Sequence, residues 1–357
     1  MRLISNLKPC MTIDKREIGA RNPIFIVIET GITANGSLEI GKKLIEKSKE
    51  SGADAVKFQT LDCDGFMADR NVIYKYETYE GIKEENMYEM LKGHQLSRSD
   101  LIELGKYAKK IGISYYLSVD TARSVKWAED AGASAYKIGS WSLRNFPLLE
   151  AVAKSKKPIQ IDLGPVVIGE IVQALEFLEK NGAEEVMLVY CSHAEEMKDL
   201  NLNSIPYLMD LLGIPIGYSA DTRDQVPDIM AVSLGVCMIE KRLTLDIKTK
   251  GHHHIKALEP DELKAWVNLI RASEKALGDK NIKPSIADLS QKNLYFTSIV
   301  ASRDIKIGEK ISRDMLDAKR PGHGISPLYM DQMIGHVLNR KIMKDEAILW
   351  SDWGRFQ

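Results

Sequence analysis

Residues 24–36 read IFIVIETGITANG and residues 52–60 read GADAVKFQT, with a run of helical periodicity between them. Each segment carries a short apolar run rich in β-branched residues, the composition of a buried strand. The first run ends on Glu29, the second on Lys57 and Gln59. Charged side chains are costly within a sheet, but the C-terminal strand ends of a parallel α/β barrel are where that fold displays its reactive groups. The two segments therefore predict successive βα units with a small-molecule active site at the barrel mouth.

Working outward, β-rich runs recur at 24–28, 55–58, 114–117, 135–138, 159–161, 186–190, 214–218 and 236–239. Segments of helical period separate them, among them 38–51, 98–110, 124–131, 168–181 and 260–277, the last opening with proline and acidic residues as a helix start does. Eight βα alternations suit a closed (β/α)8 TIM barrel, and no glycine-rich dinucleotide fingerprint follows the first strand to favour an open sheet. Residues 1–20 read as a hairpin that plugs the barrel bottom, so the barrel domain spans 1–278. The polar stretch 279–294 reads as a linker, and 295–357, with its short strands and glycine turns, as a small β-rich domain.

The chain has 357 residues, 44% hydrophobic and 28% charged, with a formal net charge of -1. That balance provides no general attraction to nucleic acid or anionic lipid. No apolar leader or membrane-length run is present, so a cytoplasmic protein is expected. Cys10, Cys63, Cys191 and Cys237 are scattered, which suits reduced thiols rather than disulfides or a structural zinc site.

The motifs ETGITANG, GADAVKFQT, AYKIGS, NFPLLEAVAKSKKPI, LNLNSIPYL, IPIGYSADT, LEPDELKAWV, DIKIGEKISRDML and KRPGHGISP, taken in order, resemble the sialic acid (N-acetylneuraminate) synthase family. The resemblance implies a TIM barrel followed by a SAF, or antifreeze-like, domain. It also implies condensation of phosphoenolpyruvate with an N-acylated amino-sugar aldehyde to give a nonulosonic acid and phosphate. In that family a divalent metal, manganese or magnesium, is held by two histidines and polarises the aldehyde. The small domain enters the partner's barrel in a domain-swapped homodimer.

By the same resemblance, Lys57, Gln59, Lys137, Ser140 and Ser219 fall in the phosphoenolpyruvate site, and Glu29, His253 and Arg320 in the sugar site. Where the first metal histidine is usual stands Asp221, and where the second is usual stands Arg242. Arginine has no lone pair to give a metal, so no metal ligand is expected here. An ion pair of Asp221 with Arg242 is expected to fill the metal's place, with the guanidinium acting on the carbonyl beside Glu29 as the catalytic group. Val119, Asp162, His193 and Glu195 replace further family residues, and an aspartate facing phosphate is repulsive unless a lysine or a proton intervenes. His252, His253 and His254 are adjacent, and adjacent loop histidines diverge and seldom share one ion.

Blander readings accompany these. Lys57 and Lys137 also suit structural salt bridges to strand-end acids such as Asp120 or Asp162, Asp221–Arg242 an inert pair, and Asn35-Gly36 a plain turn. A non-catalytic sugar-binding homologue is the main alternative to an enzyme. Schiff-base chemistry on Lys57 or Lys137 ranks behind both, since it requires a neutral lysine.

Overall fold

The computed structural model describes residues 6–353 except Glu195 and Lys280, so the reading of Glu195 lies outside the described residues. Eight parallel strands close into a barrel in sequence order. They are β1 Phe25–Glu29, β2 Ala55–Gln59, β3 Ser114–Ser118 and β4 Tyr136–Ile138, then β5 Ile159–Leu163, β6 Val186–Ser192, β7 Ile216–Ala220 and β8 Met238–Arg242.

Strand periodicity sorts the side chains. One row, with Ile26, Ile28, Val56, Phe58, Leu117 and Ile138, packs with the outer helices in the main core. The other row supplies a second cluster of Phe25, Val27, Ala55, Tyr116, Met187 and Met238. Two residues further along the same faces, the side chains become Glu29, Lys57, Lys137 and Glu240, each 5% exposed or less. The barrel therefore passes from oily to ionic along its axis.

The strands Cys10–Ile13 and Arg16–Gly19 form an antiparallel hairpin. Its Met11, Ile13 and Ile18 are wholly buried against the lower cluster, as a floor plug should be. A second hairpin, Ile73–Thr78 with Gly81–Asn86, is inserted after β2 and continues into the helix Met87–His94. Tyr76, Tyr88, Met90 and Leu91 pack there on Ile32, Leu61 and Cys63 from the loops above β1 and β2. The outer helices carry ordinary stops and starts: Ser97 and Asp100 form a capping box for Arg98–Ile111, and Gly112 ends that helix in the left-handed region.

The chain divides into compact units at Met1–Gly278 and Asp279–Gln357. Within the segment read as a linker, Ile286–Tyr295 is an α-helix with its own Ser285–Asp288 capping box. Ser298–Ala301 pairs with Leu316–Lys319, and isolated bridges such as Ile305 with Ile342 and Leu338 with Trp353 extend the β structure. Ile299, Ile305, Ile325, Leu338, Ile342 and Ile348 form this unit's own core. No helix among the described residues is long and apolar enough to cross a membrane.

Candidate active site

The barrel mouth is ringed by charge. Lys57 Nζ lies 2.8 Å from Glu29 Oε2 and 2.7 Å from Glu240 Oε1. Glu240 Oε2 is 3.1 Å from Lys137 Nζ, whose second partner is Asp162 Oδ1 at 2.8 Å. Glu240 of β8 thus bridges the two lysines, one strand removed from Lys57 and across the barrel from Lys137. The lysine partners are Glu29, Glu240 and Asp162; Asp120 is not among them. Asp120 lies instead near Asp62, and burial, aided by that charge, pushes its carboxyl up to about 6.

The protonation states follow from this arrangement. Burial opposes charge on Lys137, but Asp162 and Glu240 hold its ammonium protonated well above the ordinary range. An amine held in that state is a poor imine-forming nucleophile. Burial also opposes charge on Glu240, yet Lys137 and Lys57 hold its carboxyl down at about 2. At Asp162, burial pushes the carboxyl up; Lys137 opposes this and the Glu240 charge adds to it.

Glu29 is fixed by its loop. The Gly31 amide donates to Glu29 Oε1 at 2.7 Å, and Gln59 Nε2 donates to the same oxygen at 3.1 Å. A Cβ at Gly31 would stand 2.5 Å from Gln59 Cγ, so only glycine lets the loop lie this close. Gln59, placed by the resemblance in the phosphoenolpyruvate site, here orients Glu29.

Beside Glu29 in the sheet register lies Arg242, which donates to Asp221; Lys256 holds the other Asp221 oxygen at 2.8 Å. Burial disfavours the Asp221 charge, but Arg242 above all holds its carboxyl well below the usual range. Arg242 Nε is buried and unpartnered among the described residues. With one position an arginine and the other engaged by two cations, this donor set does not fit a metal held in the two-histidine manner.

His252 stands against Tyr74 and Tyr76, with ring centroids 5.2 and 4.8 Å away. Its ring and that of His253 lie 3.5 Å apart, so these two do not diverge as expected. Only His254 turns away, to Thr244 Oγ1 at 2.7 Å and Asn35 Oδ1 at 3.1 Å, which makes Asn35 more than a plain turn residue. Burial and then Arg242 push the His252 imidazole down to about 3 and that of His253 well below its ordinary value, so both are neutral near pH 7.

Ser140 starts a 3-10 turn after β4 and, with Trp141, Arg144, Val166 and His193, lines a cavity of about 380 Å³. Ser219, half-buried on β7, is paired in register with Cys191 and Glu240. Val119 is fully buried, and Cys63, Cys191 and Cys237 are buried free thiols. In the second unit the Arg320 guanidinium lies over the Tyr295 ring, 5.7 Å from its centroid.

Sequence reasoning gave no role to Glu240, Lys256, Tyr74 or Tyr76. Glu240 carries the signal that marked Glu29, a carboxylate closing an apolar run.

A family model described as the NeuB family matches residues 44–282, and one described as the SAF domain matches residues 296–352. An uncharacterised protein of Methanocaldococcus jannaschii is 36% identical over 344 residues, spanning 95% of this chain and 97% of that protein. The N,N'-diacetyllegionaminic acid synthase of Campylobacter jejuni is 34% identical over 328 residues, 91% of this chain and 98% of the relative. In fold, the chain is similar to the crystal structure of an N-acetylneuraminic acid synthetase from Leptospira borgpetersenii, with a TM-score of 0.70 and 24% identity over 79% of this chain and 94% of that one.

Proposed function

The chain belongs to the NeuB family, and on that premise we propose that it condenses phosphoenolpyruvate with an N-acylated amino-sugar aldehyde to form a nonulosonic acid. C3 of the enol acid attacks the aldehyde carbon, water adds at C2, and the C–O bond to phosphate breaks. The observation that carries the reading is the buried Glu29–Lys57–Glu240–Lys137 network at the strand ends. Two ammonium groups fixed there by carboxylates form a cradle for the donor's anionic groups, with Ser140 and Ser219 as additional hydrogen-bond donors. Glu29, aligned by Gln59 and the Gly31 amide, orients the sugar, together with His253.

In place of a metal, Arg242 polarises the aldehyde oxygen. Asp221 fixes its guanidinium, and the unpartnered Nε–H is a donor already desolvated at the mouth. Arg320 completes the sugar site of the neighbouring subunit in a domain-swapped homodimer, and the enzyme works in the cytoplasm without nucleic-acid or membrane partners.

Phosphate release, measured with phosphoenolpyruvate and a panel of N-acylated amino sugars with and without EDTA or added manganese, tests this. Turnover is expected to survive EDTA and to fall by about 100-fold in Arg242→Ala. Chelator-sensitive turnover would overturn the role of Arg242. A closed ionic network is also what a non-catalytic sugar-binding homologue would retain; sugar binding with no phosphate release from any acceptor would establish that reading instead.

A further inference from the structure

We propose that Asp162 takes up a proton from solvent when the phosphorylated donor enters the barrel and then, as a carboxylic acid, donates a hydrogen bond to the donor's phosphate. The inference rests on the phosphoenolpyruvate reading above and names how that site accepts the charge.

The argument starts from charge and geometry. The connected network contains the carboxylates Glu29, Glu240 and Asp162 and the ammonium groups Lys57 and Lys137. Fully ionised, it carries one negative charge in excess. The adjoining cation Arg242, in register with Glu29, is occupied by Asp221, which also holds Lys256. A phosphoenolpyruvate trianion entering this volume would meet lysines already neutralised, and in a site of low dielectric that repulsion is severe. Removing one carboxylate charge restores the balance between the two lysines and their partners.

Asp162 is the group placed to lose its charge. It is the penultimate residue of β5, with its side chain 18% exposed, whereas the Glu240 side chain is 7% exposed and held by two lysines at once. Asp162 has one ammonium, and shares it with Glu240. The groups acting on it come from several strands: Lys137 of β4, Glu240 of β8, Lys57 of β2 and the Cys191 thiol of β6. Burial and the Glu240 charge already raise its carboxyl before any ligand arrives. The residue after Leu163 is Gly164, where a Cβ would stand 2.5 Å from Ser140 Oγ and 3.6 Å from His193 Cδ2; two residues beyond Asp162, the chain thus borders the Ser140 cavity. A phosphate that reaches Lys137 from that cavity approaches the carboxylate that holds it. A protonated Asp162 can release the lysine to the phosphate and become a donor itself.

The test is calorimetric, on the full chain. Phosphoenolpyruvate is titrated at pH 8, where its phosphate is already dianionic, in two buffers of different ionisation enthalpy. Uptake of about one proton per bound ligand is expected, with affinity falling roughly tenfold per pH unit between pH 7.5 and 8.5. Asp162→Asn, neutral and nearly isosteric, and Asp162→Ser are expected to bind with no proton uptake and a flat pH profile. Binding by the unmodified protein without proton uptake, or uptake that persists in Asp162→Asn, overturns the inference while leaving the donor assignment intact. Failure of phosphoenolpyruvate to bind between pH 6 and 8.5 overturns the donor assignment, and this inference with it.

Discussion

Glu240 is shared by two buried lysines, and its carboxyl is held at about 2 in the folded chain. Free glutamate titrates near 4.3, so between those values the unfolded chain binds more protons than the folded one. This contribution to stability is complete above about pH 4.5 and drains away as the pH falls towards 2. Asp221, also depressed, adds to the loss in the same direction. Glu240→Gln should lose about 3 kcal/mol at pH 7 and show a shallower stability decline below pH 4.5, both measurable by urea unfolding across pH. At this scale the sequence was a good guide to position and a poor one to partnership. Lys57 and Lys137 were legible because each closes an apolar run, but which acid meets them depends on how barrel closure sets β8 one strand away from β2 and opposite β4. Strand order alone does not reveal a contact across the barrel interior.

Between the strands, the hairpin Ile73–Asn86 was not foreseen. Its residues are largely charged and tyrosine-rich, with Ile73 and Ile82 exposed, so no apolar alternation announces it. Its value lies in Tyr74 and Tyr76, whose rings hold His252 and, through it, the His253 ring near Arg242. Tyr76→Ala should therefore raise the KM for the sugar acceptor about tenfold with little change in phosphoenolpyruvate affinity, a split that steady-state kinetics and calorimetry would show. A different omission occurred at Ile286–Tyr295. The Ser285–Asp288 capping signal was present in the sequence, but none of the helix is buried, and without an apolar stripe the segment read as a linker. Among helices with a buried face, Arg98–Ile111 was placed to within a residue and Ala122–Asp130 to within two.

For the whole molecule, eight apolar runs separated by helical segments suffice to predict closure even though their spacing is uneven, because each βα unit repeats one local rule. Quaternary arrangement has no such local rule. A domain-swapped dimer makes a sharp prediction: inactive Arg320→Ala and inactive Lys137→Met chains, refolded together, should regain about a quarter of wild-type turnover. Half of the dimers are mixed, and each mixed dimer has one intact site. Mixtures as inactive as their parents would show that both residues act within one chain.

The hairpin Cys10–Gly19 adds a kinetic consequence. With Met11, Ile13 and Ile18 closing the lower end among the described residues, the barrel is a blind well that opens at the rim of strand ends. On the proposed reading ligands would have to queue: the donor that settles on the lysines would go in first, the sugar above it would shut the way out, and departure would run in reverse, so the floor of the fold would impose an order of events at its mouth.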